Sequence, residues 1–320
     1  EHVDRMTDRE RYRVRGLYYL SAGNWQKCAE EYGELVKRYP GDNIGHNNLA
    51  ICLGQSRNLA RAVEEARHDL QFNPNASAAA NLSLFSSYAG DFQGGERAAR
   101  ELQRAYPSFQ FGHLVLALAQ LGQGQLVHAS DSYHGFEKTG PLGASFAASG
   151  FGDLALYEGR FSDAIRILEQ GAAADLAAKN PDAAAEKLTA LAYAQLCLRR
   201  ERPALAAADK ALASSKAVKI RLLAGQTYAD TGELAKVREL TASLAAEISS
   251  EPQAYAKILE GMSALARNDA RGAIKTLTEA NSVLDTWIGR FELGRAYLEA
   301  GAFAEADSEV LAERAAAVHG

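Results

Sequence analysis

The feature that most limits how this chain can fold is a register of turns that recurs along it. Helically spaced apolar and small residues break off at Gly23, Arg57, Gly90, Gly124, Gly159, Arg199, Gly232, Asn268 and Gly301, and resume after each. Glycine or asparagine at such a point is what a left-handed turn between two helices demands, and Arg57 and Arg199 depart from it. A second ruler agrees with the first. Pro40, Pro74, Pro107 and Pro141 stand 34, 33 and 34 residues apart, and proline tends to follow a helix end because it cannot continue one. The pattern predicts an all-α chain made of nine copies of one helical hairpin, with no strand.

Within each copy, a small residue on the first helix, such as Ala50, Gly152, Ala192 or Gly261, lets the second helix approach closely while bulky neighbours fill the gap. No hairpin can cover its own apolar face, so each buries it on the next. Helix starts support this division. Thr7 with Glu10 forms a capping-box pattern, and Asn180 before Pro181 opens another helix. One spacing is stretched, 40 residues from Gly159 to Arg199. The extra segment, Gly171 to Asn180, is alanine-rich, which predicts longer helices and not a structureless loop.

Composition enters as a filter on function. Hydrophobic residues at 47% give ample core, and a net charge of -5 offers no broad basic field to a nucleic-acid backbone, so no nucleic-acid partner is expected. Cys28, Cys52 and Cys197 are odd in number and far apart, and they read as small core residues of a reducing compartment, hence a cytoplasmic chain. The most apolar run, Leu114 to Leu121, is far shorter than a membrane span and stops at Gly122. Because the chain opens on Glu1, His2 and Val3, it reads as a piece of a longer protein.

A hairpin of about 34 residues with these offsets resembles the tetratricopeptide repeat. The match is densest at Gly16, Tyr19, Gly23, Cys28, Tyr32, Leu35 and Pro40, and again at Leu293, Gly294, Tyr297, Gly301, Phe303 and Ala306. The resemblance implies an α-α superhelix, a right-handed solenoid forming a single array over 1–320. Its units fall at 9–42, 43–75, 76–109, 110–144, 145–184, 185–217, 218–253, 254–286 and 287–320. It also implies that first helices line a concave groove, and that the chain is a non-catalytic scaffold binding a protein or peptide there. The segment from Thr7 to Tyr19 looks like the repeat regions that follow the kinase domain in some bacterial serine/threonine protein kinases, which implies a signalling setting.

Carried onto that groove, the family's spacing selects Arg13, Leu17, Asn47, Ile51, Asn81 and Leu84 in the first half. In the second half it selects Tyr193, Tyr255, Ile258, Met262, Phe291 and Arg295. Asparagines can hold a peptide backbone by paired amide bonds, and aromatic or methionine side chains can anchor apolar ones. Each has a packing alternative: Asn47 or Asn48 satisfying nearby backbone, and Tyr255 and Met262 filling core. Some family members grip a terminal carboxylate with a Lys, Asn and Arg set. Here Arg13 and Asn48 are present, but Ser77 and Asn81 stand where further cations are needed.

Catalytic and metal patterns are missing. The seven histidines form no zinc-protease pair, the glycine pairs lack the Lys-Ser/Thr of a phosphate loop, and no nucleophile elbow occurs. The expectation is therefore no enzyme, no cofactor and no metal site. A rival reading makes the array a self-associating module, with Val310 and Leu311 of an uncapped last helix docking on a second copy to form a homo-oligomer.

Overall fold

A computed structural model describes residues 6–309. Every regular element among them is a helix. The first eight are α1 (Asp8–Ser21), α2 (Trp25–Arg38), α3 (Asn43–Gln55), α4 (Leu59–Phe72), α5 (Ala76–Tyr88), α6 (Phe92–Ala105), α7 (Phe111–Gly122) and α8 (Leu126–Glu137). They form four hairpins in a compact unit that ends at residue 143. A second unit begins at residue 144 and holds α9 (Pro141–Tyr157, from residue 144 on), α10 (Phe161–Ala177), α11 (Pro181–Cys197) and α12 (Glu201–Ser214). It continues with α13 (Val218–Asp230), α14 (Leu234–Ala245), α15 (Ser250–Leu265), α16 (Ala270–Val283), α17 (Trp287–Glu299) and a helical stretch over 303–309.

The turn register is the physical origin of the hairpins. All nine turn positions adopt left-handed φ, including Arg57 at 61°, Arg199 at 56° and Asn268 at 60°. The two arginines accept a conformation that glycine takes without strain, because the helices on either side are already fixed by packing. Pro40, Pro74 and Pro107 follow the ends of α2, α4 and α6, while Pro141 opens α9. The capping box forms as the sequence predicts, with the Glu10 amide donating to Thr7 Oγ1 at 3.3 Å and the Thr7 amide to Glu10 Oε2 at 2.8 Å. Asn180 caps α11. The alanine-rich extra residues lengthen α10 and α11 to 17 residues each.

Within each unit, helices pack on their neighbours in the sequence of hairpins. In the second unit one apolar cluster runs from Ala155 to Ala296, dominated by alanines at helix crossings with Leu168, Leu222, Leu259 and Leu277 between them. The first unit has two clusters, one around Tyr32, Leu35, Leu49 and Phe85 and one around Leu102, Val115 and Leu116. The free-thiol reading is corrected for two of the three cysteines. Cys28 on α2 and Cys52 on α3 face each other as a disulfide with Cα atoms 5.8 Å apart. Adjacent hairpins bring together residues that sequence spacing keeps apart, and the case for a reducing compartment loses its footing with them. Cys197 is free. No helix among the described residues is long and apolar enough to cross a membrane. Val310 and Leu311, the expected docking residues for self-association, lie outside the described residues.

Asp69 on α4 is buried in the first unit with its Oδ1 lacking a hydrogen-bond partner. Burial pushes its carboxyl from 3.8 up to about 6, against the pull of His46, whose ring nitrogens lie 2.6 Å from Glu65 and 2.8 Å from the Pro40 carbonyl. A carboxyl raised on folding leaves the folded state holding more protons than the unfolded one, so this group's contribution to stability falls as pH rises through about 4 to 6. Asp69→Asn is therefore expected to raise the melting temperature at pH 8 by a few degrees and to change it little at pH 4. Parallel melting curves for the two proteins across that range would refute the assignment.

Candidate functional site

The sequence-selected residues separate into two groups. In the first unit, Asn81 Nδ2 donates to Asn47 Oδ1 at 3.0 Å, and Asn47 Nδ2 donates to Asn48 Oδ1 at 3.0 Å. Asn48 Nδ2 in turn donates to the Tyr32 hydroxyl at 2.8 Å, and that hydroxyl donates to the Arg13 carbonyl at 3.4 Å. The asparagines thus spend amide groups on one another. Arg13 pairs with the buried carboxylate of Asp42 at 2.8 Å, and Arg9 bonds the same carboxylate at 2.7 Å. These pairings and the cap bond from the Gly45 amide hold the Asp42 carboxyl below its ordinary range although burial opposes them.

In the second unit, α9, α11, α13, α15 and α17 together line one trough with a cavity of about 720 Å³. Each is the first helix of its hairpin. Tyr193, Met262, Phe291 and Arg295 meet there, contributed by α11, α15 and α17. Tyr255 does not join them; it packs against the core, and its hydroxyl donates to Glu251 at 3.1 Å. Ile258 is wholly buried, which corrects its placement on the groove. Met262 is also a core residue, but it forms part of the trough floor.

The apolar part of the trough is open. Tyr193, Trp287 and Phe291 keep 58%, 56% and 49% of their surface exposed, large areas for aromatic side chains on the wall of a cavity. Trp287 was not selected from the sequence, although it stands four residues before Phe291 and eight before Arg295, on the same helical face. The polar groups of the wall are carboxylate-rich. Glu186 pairs with Lys219 at 3.5 Å, and Glu292 accepts from Arg295 at 2.9 Å. The Lys187 ammonium is paired with Asp175, 2.6 Å distant. Asp153 and Asp230 remain without an ion pair among the described residues; both are open to water on the trough side while the wall crowds them. Burial pushes Asp153, Asp230 and Glu292 above the ordinary carboxylate range, against the pull of Lys219 near Asp153 and of Arg295 near the other two.

A smaller cavity of about 340 Å³ adjoins this trough and shares Asp230, Met262, Glu292 and Arg295 with it. Among the described residues no group of three or more His, Cys, Asp or Glu side chains is arranged to hold a metal ion. The arrangement offers surface recognition: exposed aromatic rings, flexible sulfur and a negative rim.

The sequence profile of the tetratricopeptide repeat matches residues 13–76 and 258–317, hairpins at the two ends of the turn register. Those two segments carry tetratricopeptide repeats. The helical hairpins between the two matched segments keep the repeat's turn while losing much of its residue pattern. No curated protein matches this repeat chain in sequence. Solved structures with the same fold include yeast Tom70, at 14% identity and a TM-score of 0.63, with 96% of this chain and 65% of that one covered. The apo quorum sensor NprR of B. thuringiensis aligns at 13% identity and 0.54, covering 94% and 84%. A tetratricopeptide repeat protein of Parabacteroides merdae ATCC 43184 aligns at 14% and 0.53, covering 90% and 98%. At such identities the likeness is one of repeat architecture.

Proposed function

We propose that this repeat protein is a non-catalytic interaction scaffold that takes an extended peptide or a partner helix into the trough of its second unit. The observation that carries the reading is the convergence of three half-exposed aromatic rings, Tyr193, Trp287 and Phe291, on one cavity lined by five successive first helices. Aromatic side chains in a concave site supply large contact area at little cost in conformational freedom. The asparagine ladder of the first unit is the weaker candidate, because its amides already bond one another. Two unpaired carboxylates on the trough wall oppose a phosphodiester backbone, which favours a protein partner over a nucleic acid. The setting we infer is a bacterial signalling protein, on the resemblance carried by Thr7 to Tyr19.

The test is a selection of random displayed peptides on the full chain. Selected peptides should lose at least about tenfold in affinity for Phe291→Ala and for Tyr193→Ala. They should bind Tyr157→Ala normally, since Tyr157 is an exposed aromatic of α9 that is not part of the trough wall. Peptides that bind both trough variants as tightly as the parent chain would remove the trough as the site.

A further inference from the structure

The small cavity beside the aromatic trough carries a larger excess of carboxylates over cations than its neighbour. Its wall carries three carboxylates, Asp230, Glu292 and Glu299, and one cation, Arg295. Arg295 Nη1 bonds both oxygens of Glu292, at 3.1 and 2.9 Å, so that cation is already engaged. Asp230 and Glu299 are left without an ion pair among the described residues, and both are exposed.

Their positions in the chain sharpen the point. Asp230 is the last residue of α13 and Glu299 the last of α17, while α15 ends beside the same cavity at Leu265. The unsatisfied carbonyls of a helix C-terminus carry about half a negative charge, and cations, not carboxylates, are favoured there. Three such ends and three carboxylates therefore face one space with a single guanidinium among them. Two acidic side chains standing at helix ends that disfavour them destabilise the empty protein slightly, and a cation entering the cavity relieves both effects at once. Burial raises the Asp230 and Glu292 carboxyls against the pull of Arg295, and the neighbouring Asp230 charge adds to the rise at Glu292.

The cavity shares Met262 and Asp230 with the aromatic trough, so one segment can reach both. We propose that the second unit recognises a basic–apolar peptide segment, its large apolar side chain lodged among Tyr193, Trp287 and Phe291 and a nearby lysine or arginine seated between Asp230 and Glu299. The inference rests on the trough reading above and adds the chemistry of the partner. Complementary charge supplies selectivity and association rate, and the aromatic contacts supply most of the affinity.

Three labelled synthetic peptides test it by fluorescence anisotropy on the full chain. They share one leucine–tryptophan core and carry lysine, glutamine or glutamate on both flanks. The lysine peptide is expected to bind at least about tenfold more tightly than the glutamine peptide, the glutamate peptide weakest, with the difference shrinking at high salt. Asp230→Asn/Glu299→Gln should erase the lysine preference, so that the lysine and glutamine peptides bind the variant alike; removing carboxylates from helix C-termini leaves the fold intact, which melting curves verify. Phe291→Ala should weaken all three. If glutamine or glutamate peptides bind as well as lysine ones, or the preference survives in the double variant, the charge inference is overturned. In either case sensitivity to Phe291→Ala would keep the trough reading. Binding indifferent to Phe291→Ala, or no binding by any of the three, counts against both.

Discussion

Asp175→Asn is expected to destabilise the second unit by about 3–5 kcal/mol, the usual consequence of stripping one partner from a buried ion pair. Lys187 on α11 reaches Asp175 on α10 at 2.6 Å and Ser145 on α9 at 3.1 Å, and both charged side chains are buried. Gly171 makes room for the lysine stem, since a Cβ there would lie 2.9 Å from Lys187 Cδ. With asparagine at 175 the ammonium keeps its burial and loses its counter-charge, so the loss is far larger than for any exposed pair on the surface. Because each repeat contacts only its neighbours, amide-exchange protection should fall first in α10 and α11, and little in α1 to α4. The double variant Lys187→Met/Asp175→Leu should recover most of the loss, as an apolar pair of similar volume does in other buried sites. An unchanged melting temperature for Asp175→Asn would show that the pair is solvated in solution.

Lys187 also marks where the sequence stops being readable. A lysine in the alanine-rich run Ala183 to Ala194 has the look of a solvated helix position, and nothing in its neighbours names Asp175, twelve residues earlier on another helix, as a partner. The hairpins themselves were legible because their determinants are local. A turn needing positive φ, a capping box and a proline past a helix end each lie within a few residues, and the structure places all nine turn positions in the left-handed region. The lengthened α10 and α11 were legible for the same reason, as alanine content fixes helix continuation without tertiary help.

The trough was legible only in part. The spacing implied by the family resemblance picked Tyr193, Met262, Phe291 and Arg295, which do meet, and also Tyr255 and Ile258, which turn into the core. Repeat spacing fixes a residue's position on its own helix, whereas the small rotation of each hairpin on the next decides which neighbouring position faces the channel. Trp287 carried a usable signal in its four-residue spacing from Phe291 and Arg295; Asp153, Asp230 and Glu292 carried none, since a carboxylate on a helix surface is the ordinary case. The Cys28–Cys52 disulfide escaped for a related reason: it joins two hairpins.

Substitutions at one contact test directly whether the repeat signature is a packing requirement. A Cβ at Gly16 of α1 would lie 2.6 to 2.8 Å from three ring atoms of Tyr32 on α2, whose ring is almost wholly buried. The same relation holds sixteen residues apart in two other hairpins, where Gly152 faces Leu168 and Gly261 faces Leu277, each with a contact of 2.5 Å. Tyr32→Ala is expected to cost about 3–5 kcal/mol, as other buried aromatic truncations do, and it also leaves Asn48 without the hydroxyl it bonds. Tyr32→Phe isolates that second part at about 1–3 kcal/mol. Gly16→Ala should cost about 1–3 kcal/mol, because the ring is held on its far side by the core and cannot withdraw without strain. Combined as Gly16→Ala/Tyr32→Leu, the smaller partner vacates the space that the new methyl needs, so the pair should destabilise by clearly less than the sum of Gly16→Ala and Tyr32→Leu measured singly. Urea unfolding of the four proteins reads the coupling; strict additivity would mean that glycine at this position serves the backbone of α1 and not the approach of α2.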